Sequence, residues 1–151
     1  MALHIRTQTR NAITAALKTL TTVPADSVFE SRVYKLDSGD LPAIVVNSER
    51  EDIETKGRGS GQPGIQTRDI QNTVIIAETN TDEIEDSLDI ISLEVEDKIF
   101  EDHTLGGVAV STHLISMERF TTEQTDRPFG LMKLTFTSRV ISIEGDASKV
   151  I

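Results

Sequence analysis

The chain predicts an α+β domain: two helices packed on one face of a mostly antiparallel sheet of four to five strands. Three observations carry that expectation. Two segments, one near the start and one between 82 and 100, place apolar residues at spacings of three and four. The segments around them alternate with period two or run as short apolar stretches. Gly, Pro, Asn and Asp punctuate the boundaries. Helices that bury one stripe and strands that bury one face satisfy each other in two layers. No internal repeat or linker divides the 151 residues, so they are read as one domain.

Residues 4–21 read as the first helix. Ile5, Ala12, Ile13, Ala16, Leu17 and Leu20 fall on one stripe, and Arg6, Gln8, Arg10 and Lys18 lie largely off it. Pro24 follows, where it cannot extend the helix. Residues 27–35 read as a strand, with Val28, Glu30, Arg32 and Tyr34 on one face and Phe29, Ser31 and Val33 on the other. Asp37-Ser38-Gly39-Asp40 is a turn cluster, and Pro42 opens a strand at Ala43-Ile44-Val45-Val46. That unbroken apolar run predicts burial on both faces.

Between Ser48 and Gln66 the pattern dissolves. Four acids, Glu49, Glu51, Asp52 and Glu54, precede a Gly-rich stretch over 57–64 with no large apolar residue. This reads as a flexible loop over about 55–65 or an extended hairpin tip. Lys56, Arg58, Gln62 and Arg68 stand out against the acidic background as candidate contacts of an arm that orders on a neighbour.

Residues 66–78 return to strand. Thr79-Asn80-Thr81-Asp82 supplies cap chemistry for the second helix, with Asp82, Glu83, Glu85 and Asp86 where the helix dipole favours acids. Ile84, Leu88, Ile91, Val95 and Ile99 form its buried stripe, with Ile90 at the margin and acids outside. Gly106-Gly107 closes it. Residues 108–120 and 131–143 form a final antiparallel hairpin, with Met132, Leu134, Phe136 and Val140 inward. Between them 121–126 is a polar turn region, in which Glu123, Asp126 and the adjoining Arg127 are further candidate contacts. The tail from Glu144 reads as polar and frayed over about 145–151, apart from Val150 and Ile151.

Composition narrows the function. Hydrophobic residues make up 37% and aromatics 4% of the chain, so the core rests on Ile, Val and Leu. The formal net charge of −10 repels nucleic-acid phosphates and anionic membranes. Cysteine is absent, which excludes disulfides and thiolate metal sites. No apolar run reaches the roughly 18 residues of a membrane span, and the start lacks a signal-like stretch, so a cytosolic chain is expected.

No catalytic constellation emerges. His4, His103 and His113 show no paired metal-ligand spacing. Asp102-His103 is an acid beside a base, but sequence neighbours on a loop rarely share a productive geometry. The cluster at 82–86 lacks EF-hand spacing, and Gly57-Arg58-Gly59-Ser60-Gly61 lacks the ending of a phosphate loop. A small acidic enzyme or ligand-binding domain would need polar residues converging in an apolar pocket, and none is evident.

The order of signals, however, forms a pattern. The first helix, Val28-Phe29-Glu30-Ser31-Arg32-Val33-Tyr34, Leu41-Pro42-Ala43, the acidic helix, Thr104-Leu105-Gly106-Gly107 and the hairpin resuming at Pro128-Phe129-Gly130 resemble tail terminator (tail completion) proteins of long-tailed bacteriophages and prophages. The resemblance covers about residues 3–143. It implies a structural virion protein with no catalysis and no cofactor. Copies would form a hexameric ring on the head-proximal end of the tail tube. The ring would stop tube growth and meet the head-tail connector, while DNA passes through without specific binding. A head-completion or neck protein is the neighbouring alternative.

Overall fold

The computed structural model describes residues 2–30, 39–79, 81–122 and 129–151. Helix α1 (Ile5–Leu17) leads through a turn of 3-10 helix (Ala25–Ser27) into strand β1 (Val28–Glu30). Strands β2 (Ala43–Lys56) and β3 (Ile65–Thr79), helix α2 (Ile84–Glu101), and strands β4 (Ser111–Thr122), β5 (Phe129–Ile143) and β6 (Asp146–Val150) follow. The sheet order is β1-β2-β3-β5-β4, with β6 also paired to β5. Among the described residues β1–β2 is the one parallel pair, and the other pairs are antiparallel. The expected α+β class therefore holds, with six strands among the described residues, the sixth being the short β6.

Both helices lie on one face. Across the sheet the inward rows are Ile44–Ile76–Met132 and Val46–Val74–Leu134, and these residues share one core with Ile5, Ile13 and Leu17 of α1 and Leu88, Ile91, Val95 and Ile99 of α2. The run 43–46 is buried on both faces, as its composition predicts. The buried threonines Thr9 and Thr14 return their hydroxyls to the carbonyls of Ile5 and Arg10, which satisfies them inside the helix.

Several boundaries differ from expectation for identifiable reasons. Helix α1 ends at Leu17 rather than 21, because the N–H groups of Thr21 and Thr22 donate instead to the Glu94 carboxylate of α2. His4 caps its start by accepting from the Arg6 N–H, a role read from neither composition nor spacing. Helix α2 starts at Ile84 behind Glu83, without a side-chain cap; the Ile84 N–H bonds the Thr81 carbonyl. Residues 48–56, where the apolar pattern dissolves, are the outer half of β2, paired with β3 from Arg50↔Gln71 to Lys56↔Ile65 after a bulge at Ser48/Arg50, in agreement with the hairpin-tip alternative. That half stands beyond the helices, so its side chains are mostly exposed and no apolar alternation marks it. The tail does not fray: Glu144-Gly145 turns it, with Gly145 at φ +89°, and β6 pairs back onto β5. Ser31, Arg32, Val33, Tyr34, Asp37, Ser38, Asn80, Glu123, Asp126, Arg127 and Pro128 lie outside the described residues.

Candidate assembly surface

Strand β4 is one edge of the sheet, hydrogen-bonded to β5 on one side only. A bulge between Leu114 and Ser116 re-aims its side chains. Ile115 and Met117 are each 50% exposed, and Leu114 and Phe120 are exposed beside them. A long edge strand with exposed apolar side chains is a template for pairing, which monomeric proteins suppress with charge, proline or cover. The outer half of β2 shows that defence, with Glu49, Arg50, Asp52 and Glu54 in close succession. The described part of β4 has Glu118 and Arg119, and Arg119 is held by Glu85 of α2 at 2.8 Å.

Helix α2 adjoins this edge. Its buried stripe needs only Leu88, Ile91, Val95 and Ile99, yet Ile90, Leu93 and Phe100 point outward at 60%, 62% and 78% exposure. Helical geometry puts those three and Asp97 on one outer face. A groove of about 290 Å³ joins helix to strand, lined by Glu96, Asp97, Ile99, Phe100, Thr112, Leu114 and Phe136. The surplus apolar residues of the 84–101 helix were the available sequence signal for this surface. The expected stripe did not use Leu93 or Phe100.

The residues singled out from sequence separate into two environments. Lys56, Arg58 and Gln62 are exposed at the β2–β3 tip. There Lys56 lies 3.3 Å from Glu54, and Arg58 lies 3.2 Å from Glu144. Glu144 also accepts from the Gly64 N–H at 3.2 Å, so the tip is tied to the β5–β6 turn. Arg68 is different. It is only 7% exposed, and its guanidinium donates to Ser142, Glu51 and Gln66. The expectation that Arg68 offers a surface contact is corrected on this ground: its inward register on β3, opposite Val140, places the charge beneath the sheet.

The histidines and the Asp102 carboxylate lie apart from the assembly surface or serve local structure. Asp102 accepts from the Thr104 hydroxyl and the Gly106 N–H, contacts that hold its carboxyl below the ordinary value, and the pair closes the turn after α2 beside an exposed His103. His113 is exposed on β4. Burial and the neighbouring Arg6 lower the His4 pKa, consistent with a neutral ring that accepts at the start of α1. Among the described residues no group of three or more His, Asp or Glu is placed to hold a metal ion. No helix among them is long and apolar enough to cross a membrane.

These features define a two-layer α+β domain with one open, apolar sheet edge. No family model matches the chain, and no curated protein sequence matches it. The chain is similar to a solved structure from the virion of a native gene transfer agent particle, with 13% identity and a TM-score of 0.42, covering 93% of this chain and 96% of that one.

Proposed function

We propose that the protein is a structural subunit of a phage-like virion, a tail terminator that works as one ring-forming domain. The observation that carries the proposal is the open β4 edge, continuous with the outward apolar face of α2. A surface of this kind gains by covering with another protein chain. The order of local sequence signals supports the choice of terminator over other self-assembling subunits. In this reading copies form a hexameric ring at the head-proximal end of the tail, after synthesis in the host cytoplasm. One rim meets the tail tube protein and the other the head-tail connector. A subunit of formal net charge −10 offers passing DNA no net positive charge to bind it. The protein acts by covering a growing end, so it needs neither a catalytic group nor a cofactor.

The test is mass measurement and electron microscopy of the purified protein, with complementation of an infection lacking its terminator. A six-fold ring and restored tail length are expected. A strict monomer that leaves tails overgrown overturns the proposal.

A further inference from the structure

The acidity of the chain is concentrated. Residues 82–102 hold ten acids and one Lys, a net −9 out of −10 for the whole protein. That segment is α2 with its flanking turns, and its outer face also carries Ile90, Leu93 and Phe100. Two described stretches have the opposite chemistry: residues 2–25, where Arg6 and Arg10 are bound to Glu51 and Glu30, and the hairpin tip. The tip at 55–66 contains no acid and carries Lys56 and Arg58, whose side chains are 75% and 73% exposed. Exposed Ile65 stands at its base, opposite exposed Ile143.

The two surfaces do not meet within one chain. Ile65 pairs with Ile143, seven residues along β5 from the groove-lining Phe136, a separation of about 23 Å at strand rise. The ion pairs of Lys56 with Glu54 and of Arg58 with Glu144 are surface pairs, which exchange partners at little cost.

We propose that the basic β2–β3 tip of one copy docks on the acidic, apolar face of α2, beside the groove to β4, in the next copy. This rests on the reading of the chain as a ring subunit, and assigns the acid of α2 to the seam between copies. The contact joins two different surfaces, so it is heterologous and propagates head to tail until rotation closes it. Opposite charge fixes the register, while Phe100 and Leu93 against the tip supply apolar burial.

The natural absence of cysteine makes the test direct. Gln62→Cys and Leu93→Cys both fall at exposed positions, so each variant keeps the fold. Each single variant is mixed with the other under mild oxidation, and a chain carrying both is oxidised alone. Covalent heterodimers from the mixture and a ladder of multimers from the double variant are expected. In parallel, Lys56→Glu with Arg58→Glu weakens association by about tenfold or more, and Asp97→Lys added to that pair restores part of it. Rings without tip-to-helix crosslinks overturn the docking mode and leave the ring reading standing. Crosslinks between two Leu93→Cys positions replace it with a face-to-face dimer. Neither crosslinks nor assembly at high protein concentration removes both.

Discussion

Glu51 and Arg68 form an ion pair of 2.6 Å in which each side chain is only 9% exposed. They sit diagonally on adjacent strands, two residues apart in register and so on the same face, where β2 and β3 pass beyond the helices. Arg6 at the start of α1 reaches the other Glu51 oxygen at 3.2 Å, so one carboxylate ties the first helix to the hairpin. Replacing Glu51 with Ala strands the Arg68 charge under the sheet, and about 3–5 kcal/mol of stability is lost. Replacing both, as Glu51→Leu with Arg68→Met, recovers much of that loss because no unpaired charge remains. Urea midpoints of Glu51→Leu, Arg68→Met and the double variant measure the coupling.

Glu94 gives a pH-dependent case. Burial pulls its pKa upward, but hydrogen bonds from the hydroxyls and N–H groups of Thr21 and Thr22 outweigh that pull and hold it at about 2, against an ordinary 4.5. The folded pKa is depressed, so the stabilisation is fully present above pH 4.5 and is lost as pH falls toward 2. At pH 7 Glu94→Gln costs roughly 1–2 kcal/mol, the scale of hydrogen bonds to a charged acceptor. The gap between the wild-type and Glu94→Gln melting curves should close progressively through the acid range. A gap unchanged at pH 2.5 would contradict the assignment.

The success of the sequence reading follows the core. Ile5, Ile13 and Leu17, the 43–46 run, and Met132, Leu134, Phe136 and Val140 were legible because burial imposes periods of 3.6 and 2 on residue choice. Where the sheet leaves its helices that constraint disappears. The outer half of β2 is set by backbone pairing with β3, not by side-chain alternation, so no strand period marks Glu49 to Lys56. Strand β6 is similarly short and half-buried, and it is held by β5. Arg68 could not be placed from sequence, since a buried arginine differs from an exposed one only through partners, here Glu51 and Ser142, distant in the chain. The surface beside β4 was legible only in part: its apolar residues are visible in sequence, but which ones the core leaves over depends on the helix rotation.

The glycines of the tip are not equivalent. A Cβ on Gly64 would come within 2.7 Å of Thr55 Cγ2 and 2.8 Å of the Lys56 carbonyl oxygen, and a paired backbone cannot retreat. Gly59 has open space around it and no left-handed φ. Gly64→Ala should therefore cost about 1–3 kcal/mol, with early hydrogen exchange at 55–66, whereas Gly59→Ala stays within about 0.5 kcal/mol of wild type. Equal effects at the two positions would mean that the tip closes differently.

The β4 edge makes the last prediction. Ile115 occupies the bulge and Met117 follows it, both half-exposed, so a lysine at either position keeps its charged end in water. Ile115→Lys and Met117→Lys should change folding stability by no more than about 1 kcal/mol, because half of each side chain already faces water and the lysine stem can keep the covered half packed. They also place on β4 the charge that edge strands use against pairing. Sedimentation should then show smaller particles than wild type at the same concentration, with unchanged melting of the separated subunit. A variant that assembles normally would remove β4 from the contact surface. A variant that unfolds would show that these side chains are held by packing within the chain, contrary to their exposure.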